Sequence, residues 1–93
     1  LKLRNDVTGE EDRIRVDGAF LAVGLMPENE AFASLAQLDE RGYFDSDEAC
    51  CTATPGIFVA GDCRSKTIRQ VTTAAGDGAV AAMTACRYLD RLS

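Results

Sequence analysis

The chain has 93 residues, of which 15 are acidic and 10 are basic, and its net charge at pH 7 is −5. An acidic chain without a cluster of Lys and Arg is poorly suited to nucleic acid, because phosphate contacts need concentrated positive charge. No apolar run approaches the ~20 residues of a membrane span, and no signal peptide is visible. We therefore expect a cytoplasmic, globular polypeptide that binds neither nucleic acid nor membranes. Because the chain begins at Leu1 rather than Met, we expect a fragment of a longer protein.

The first part of the chain predicts a short β-meander. Residues 1–5 are typical of a strand end, and residues 8–11 contain a turn signal. Charged and apolar residues then alternate over residues 13–16, as in a half-buried strand. Asp17-Gly18 favours a hairpin turn. The continuous apolar run 19–23 predicts a buried strand.

The middle of the chain predicts a connector that ends in a strand. Residues 30–35 favour one or two helical turns, and residues 38–44 hold a turn between two short apolar pieces. Residues 57–60 are apolar, β-prone and bounded by glycines, which predicts a buried strand of the parallel type.

A long C-terminal helix is the clearest element in the sequence. Apolar residues recur at steps of three and four from about Gln70 to about Leu92, which predicts a helix with one apolar face. That face consists mainly of small side chains and contains Val71, Ala74, Ala75, Gly78, Ala79, Ala82, Met83, Cys86 and Leu89. Small residues allow close approach to a sheet or another helix. The predicted fold class is therefore α/β, with a short β-meander, a buried strand and a long C-terminal helix.

The four cysteines show no Cys-x-x-Cys spacing. We expect all four to be unpaired thiols in a reducing compartment, and we expect no metal site. Cys63 follows Gly61-Asp62 directly, and a reactive thiol there would need a lowered pKa from a nearby cation such as Arg64 or Lys66. We predict no catalytic residue in the chain.

Gly61 and Asp62 follow the predicted strand and precede the helix. In open α/β sheets, ligands bind beyond the carboxyl ends of strands. A glycine there lets a bulky ligand approach the backbone, and a carboxylate accepts hydrogen bonds from hydroxyl groups. The helix start at Arg69, Gln70 and Val71 offers free N–H groups and the positive end of the helix dipole. The same residues are equally compatible with Asp62 capping a turn and Arg69 being a solvated surface charge.

The order of residues in this stretch resembles a motif of a known protein family. Residues 54–62, TPGIFVAGD, resemble the second FAD motif of flavoprotein disulfide reductases with two dinucleotide-binding domains. The continuation through residues 69–82 looks like the low-molecular-weight thioredoxin reductase family. Residues 17–27 and 38–43 are similar to the same family, in the expected order.

The resemblance implies a division of the chain and a set of cofactor contacts. Residues 1–24 would be the terminal strands of an NAD(P)H-binding domain, and residues 25–93 would close an FAD-binding domain. The predicted cofactor-binding residues are Gly61, Asp62, Arg69, Gln70 and Val71. The carboxylate would take a ribityl hydroxyl, the glycine would permit close approach near the pyrophosphate, and the helix start would face the flavin's pyrimidine carbonyl.

The implied activity is FAD-dependent, NAD(P)H-linked reduction of thioredoxin or a similar disulfide protein by a homodimer. The chain lacks both the Gly-x-Gly-x-x-Gly fingerprint and the redox Cys-x-x-Cys, so NAD(P)H would bind outside it and the isolated chain would bind FAD weakly or not at all. The alternatives are a catalytically inert, self-associating fragment and part of a related flavoprotein without the dithiol, of the ferredoxin-NADP reductase type.

Overall fold

The computed structural model describes residues 1–93. Two short strands, β1 (Lys2–Arg4) and β2 (Glu11–Arg13), form an antiparallel hairpin near the N-terminus. Two single 3₁₀ turns follow, at Glu30–Phe32 and Gly61–Cys63. The chain ends in one long helix, α1 (Val71–Leu92). These elements confirm the α/β class and the C-terminal helix.

The hairpin is closed by local polar contacts. Asn5 Oδ1 accepts the N–H groups of Val7 and Thr8, at 2.9 and 3.1 Å. Gly9 has a φ of +75°, which lets the chain reverse at the turn expected there. The second strand, predicted at residues 13–16, lies at residues 11–13 instead, because the turn brings Glu11 opposite Arg4.

The strand predicted at residues 19–23 does not form. All five residues are exposed, and no other segment of the chain pairs with them. A strand needs a neighbour for its backbone hydrogen bonds, and apolar patterning cannot supply one. The meander therefore stops after its first two strands.

The core lies between the loops of residues 36–63. Ala36, Phe44 and Val59 form its buried centre. Leu38 and Phe44 face each other across an antiparallel bridge, which confirms the turn predicted at residues 38–44. The segment 57–60 contributes Val59 and one antiparallel bridge, from Phe58 to Cys51, rather than a continuous parallel strand. No partner segment of this chain runs along its whole length.

Helix α1 begins one residue after Gln70, close to the predicted start. The face that it turns toward the core is not the predicted one. Its half-buried residues are Thr73, Ala74, Asp77, Ala81, Thr84, Ala85 and Tyr88. Of the predicted apolar face, only Ala74 belongs to this set, and the other members are exposed. The contacts of this face include the Phe58–Tyr88 edge-to-face ring contact, at 5.9 Å between centroids, and the bonds of Asp77 to the Gly61 N–H and Arg64.

The molecule is elongated. It measures 67 × 25 × 20 Å, and its radius of gyration is 19.7 Å. A compact domain of this length would have a radius of gyration of about 12 Å. The seven buried residues all lie between Asn29 and Gly61. Helix α1 lacks the combination of length and apolar content that a membrane crossing requires.

Candidate functional site

A tight turn at Gly61 brings the end of the apolar segment against helix α1. Gly61 is buried and has a φ of +83°, a backbone conformation that residues with a side chain rarely adopt. A Cβ added there would lie 3.6 Å from the Cβ of Ala74. The turn closes through the Arg64 N–H, which donates to the Gly61 carbonyl at 3.2 Å. The glycine is therefore needed for the conformation of the turn, and it stands directly against the helix.

Asp62 is the exposed residue of this turn, and it lines a cleft of about 260 Å³. The carboxylate accepts no hydrogen bond from the chain, whereas the Asp62 backbone carbonyl accepts one from Arg69 Nε at 3.1 Å. The cleft is also lined by Met26, Tyr43 and Cys63. A carboxylate free of protein donors at the wall of a cleft can accept hydrogen bonds from a ligand's hydroxyl groups.

Arg69 holds the turn in place. Its guanidinium lies over the ring of Tyr43, with 3.8 Å between Cζ and the ring centroid. Besides the bond to Asp62, its Nη2 donates to the backbone carbonyl of Arg64 at 3.1 Å. The interpretation of Arg69 as a solvated surface charge is therefore wrong, because its donors are bound to the loop that carries Asp62.

Gln70 and Val71 lie at the start of α1, next to Arg69. Gln70 is the N-cap residue, and its backbone N–H donates to Thr73 Oγ1 at 3.0 Å. The Val71 N–H has no acceptor in the chain, as is usual in a first helical turn. Both residues are exposed, and neither lines the cleft. The structure thus brings Gly61, Asp62 and Arg69 together, and places the other two predicted residues beside them.

Sequence reasoning missed Asp77, on the inner face of α1. Its carboxylate pairs with Arg64 Nε at 2.7 Å and with Lys66 Nζ at 2.8 Å, and it accepts the Gly61 N–H at 3.0 Å. The hydrogen bonds from Arg64 and then from Lys66 hold the pKa of this carboxyl far below its usual range. The sequence held one signal for this role. Asp77 is an acidic residue among the small residues of the helix, and the basic residues Arg64 and Lys66 lie between Gly61-Asp62 and the helix start.

Asn29 was also missed. It is buried, and its Nδ2 donates to the carbonyls of Gly42, at 3.0 Å, and Cys63, at 2.8 Å. These bonds join the start of the packed region to the far end of the Gly61–Cys63 turn. A lone Asn in a connector gives no sequence signal for such a role.

The cysteines are all free thiols, and no group of possible ligands could hold a metal ion. Cys63 is half-buried, and its thiol donates to the Ala60 carbonyl at 3.4 Å. Cys50 is fully buried, and burial raises the pKa of its thiol. Burial therefore does not favour a reactive thiolate at Cys50.

The residues present fit part of an FAD site. A free carboxylate on a glycine turn suits a hydroxyl-bearing chain such as ribityl, and the adjacent helix start suits an electron-rich carbonyl. The cleft is bounded on one side by Leu25, Met26 and Pro27, which have little packing of their own.

Solved structures and curated relatives resemble this chain closely over a limited part of their own length. The crystal structure of Lactococcus lactis thioredoxin reductase (FR conformation) matches with a TM-score of 0.81 and 41% identity, over 97% of this chain and 30% of that one. The thioredoxin reductase of Listeria innocua is 48% identical over 92 residues, which are 99% of this chain and 29% of the relative. That of Bacillus subtilis is 40% identical over 90 residues, or 97% of this chain and 28% of the relative.

The chain thus spans less than a third of the curated relatives that it matches. The region that a family model matches, residues 2–78, nevertheless contains the Gly61 turn, Asp62 and the whole ion cluster around Asp77. The family described as "Pyridine nucleotide-disulphide oxidoreductase" matches residues 2–78, well over half of the sequence. The chain belongs to the pyridine nucleotide-disulphide oxidoreductase family.

Proposed function

We propose that these residues complete the FAD site of an NAD(P)H-linked disulfide reductase of the thioredoxin reductase type. The observation that carries the proposal is the Asp62 carboxylate, which stands on a glycine turn at a cleft and accepts no hydrogen bond from the chain. The names of the relatives favour this activity over an inert fragment or a flavoprotein of the ferredoxin-NADP reductase type.

In this proposal each residue of the site has a distinct task. Asp62 accepts hydrogen bonds from ribityl hydroxyls, and Gly61 keeps the backbone free of a side chain beside the cofactor. The free N–H of Val71, next to Gln70 at the start of α1, would face the flavin's pyrimidine carbonyl, where the helix dipole favours negative charge. Arg69 holds the loop and the Tyr43 ring in place. FAD, when bound, accepts hydride from NAD(P)H and passes electrons to a disulfide.

We also propose the division of the chain between two domains. Residues 1–24 would end the NAD(P)H-binding domain, and residues 25–93 would close the FAD-binding domain. The exposure of every residue from 1 to 26 and the packing that begins at Asn29 support a boundary in this region. The acting protein would be a cytoplasmic homodimer with thioredoxin as its partner, and NAD(P)H would bind to residues other than these.

The first experiment uses the protein encoded by the complete reading frame that carries these residues. We expect it to retain FAD, seen as visible flavin absorbance after desalting, and to oxidise NADPH or NADH when thioredoxin is added. Asp62→Ala removes hydrogen bonds to a charged acceptor and should weaken FAD binding by roughly 10- to 100-fold. Asp45→Ala removes an exposed carboxylate outside the cleft and serves as the matched control.

Two results of this experiment would contradict the proposed FAD site. A protein that binds no flavin, or an Asp62→Ala variant with the affinity of the Asp45→Ala control, would contradict the proposal. The same absorbance measurement on the isolated chain gives a second check. We expect little or no retained FAD there, and stoichiometric retention would show that these residues suffice for binding.

A further inference from the structure

We propose that Asp77 is a positioning residue of the cofactor site, which sets where Asp62 presents its carboxylate. This inference rests on the function proposed above. It starts from the fact that Asp77 does not line the cleft, yet binds the loop on both sides of the residue that does.

The contacts of Asp77 enclose the turn. Its Oδ2 accepts the Gly61 N–H at 3.0 Å, immediately before Asp62 in sequence. The same oxygen accepts Arg64 Nε at 2.7 Å and Lys66 Nζ at 2.8 Å, and Oδ1 accepts Arg64 Nη2 at 2.9 Å. One carboxylate on α1 therefore fixes both ends of a segment of which Asp62 is the exposed residue.

A second path leads from Asp77 to the rim of the cleft. The Arg64 backbone carbonyl accepts Arg69 Nη2 at 3.1 Å, and the Asp62 carbonyl accepts Arg69 Nε at 3.1 Å. The Arg69 guanidinium also lies over Tyr43, which lines the cleft. A shift of Arg64 would therefore move the carbonyl that holds Arg69, and with it the backbone of Asp62.

The charges make the arrangement sensitive to substitution. The side chains of Asp77, Arg64 and Lys66 are only 12, 14 and 9% exposed. An Asn in place of Asp77 offers one oxygen for the three donors now on Oδ2, and its NH₂ group would face the Arg64 Nη2 donor now on Oδ1. Two cations would lose their common counter-ion in a largely buried place, so the loop would rearrange to expose them.

The test is a double-mutant cycle on FAD affinity, measured by flavin titration of the apoprotein from the complete reading frame. Asp77→Asn alone should weaken FAD binding about fivefold or more. If Asp77 acts through Asp62, adding Asp77→Asn to Asp62→Ala should change the affinity by less than about twofold. Asp90→Asn, an exposed carboxylate on the same helix, is the control and should leave FAD affinity unchanged.

A general structural role predicts a different result. Asp77→Asn would then weaken binding by the same factor with or without Asp62, and this additivity would overturn the proposal, as would an Asp77→Asn variant that binds FAD like the wild type. If Asp77→Asn fails to fold, Lys66→Met removes one donor and keeps the carboxylate. We expect it to weaken binding about twofold in the wild type and not at all in Asp62→Ala, and equal losses in both backgrounds would overturn the proposal.

Different results of the same experiment would contradict the proposed function. If the wild-type protein binds no FAD, both proposals fall. If the wild type binds FAD and Asp62→Ala has no effect, the assignment of Asp62 falls, and the route through it falls as well. Additive losses with a normal Asp62→Ala effect contradict the positioning role alone.

Discussion

Residues 1–28 and residues 29–93 have similar fractions of apolar residues but very different structures. Residues 1–28 contain a hairpin and an extended apolar run, and none of them is buried. Residues 29–93 contain every buried residue, the cleft wall at Asp62 and the ion cluster around Asp77. Phe20 is fully exposed, whereas Phe44 is only 7% exposed.

This contrast shows that apolar residues indicate burial only where a partner surface is within reach. Around Phe44, the turn at residues 38–44 and the segment 57–60 return to the same place and exclude water together. Around Phe20, no segment of the chain returns. Burial of apolar surface is worth about 25 cal/mol per Å², but only when two surfaces meet.

Replacing Phe58 should cost the most stability, and Phe20 provides the comparison. Phe58 packs edge-to-face on Tyr88 and ties the core to α1, so Phe58→Ala should lower the free energy of unfolding of the isolated chain by about 3 kcal/mol. Phe20→Ala in the fully exposed segment is the matched control, with an effect within about 0.5 kcal/mol. Urea denaturation measures both. Equal effects would mean that the two parts do not differ in packing as described.

A smaller effect compares two asparagines. Asn29→Ala leaves the carbonyls of Gly42 and Cys63 without their buried donor and should cost about 2 kcal/mol. Asn5 caps the exposed hairpin turn, where water can replace its oxygen, so Asn5→Ala should cost less than about 1 kcal/mol. The shift of the denaturation midpoint is again the measurement. A larger loss of stability in Asn5→Ala than in Asn29→Ala would mean that the hairpin contributes more to the stability of the chain than the packed region does.

The smallest effect concerns pH. The folded-state pKa of Asp77 is depressed by its bonds to Arg64 and Lys66, so its stabilisation is present above its ordinary pKa of 3.8 and is lost as the pH falls below that value. Between pH 7 and pH 3 the wild type should lose about 1 kcal/mol more than Asp77→Asn does. Glu11→Gln, which breaks the exposed pair with Lys2, should leave the pH profile nearly unchanged.

Thermal unfolding followed across this pH range gives both profiles. Parallel profiles for the wild type and Asp77→Asn would contradict the ion cluster as the source of the acid sensitivity. A strong change in the pH profile of Glu11→Gln would contradict the statement that the Lys2–Glu11 pair is exposed and the Asp77 cluster is buried.

Much of the fold and part of the site could be predicted from local patterns. The period of α1 and the turn at residues 38–44 depend on neighbours within a few residues, and both form where expected. The strand at residues 19–23 and the inner face of α1 depend on distant partners, and both predictions were wrong. The helix pattern identified small apolar residues, but the contacts of Tyr88 and Asp77 decide which face turns inward.

The family, the long helix and the Gly61-Asp62 pair before it can be identified from the residue order alone, because a motif and a helical period are patterns of residues close together along the chain. The folded chain was needed to show that Arg69 holds the loop and that Asp77 binds on both sides of Asp62. Such contacts join residues separated along the chain, and their energy depends on distance and burial in space. The chain must fold before a charge on the helix can fix the position of a carboxylate in the loop.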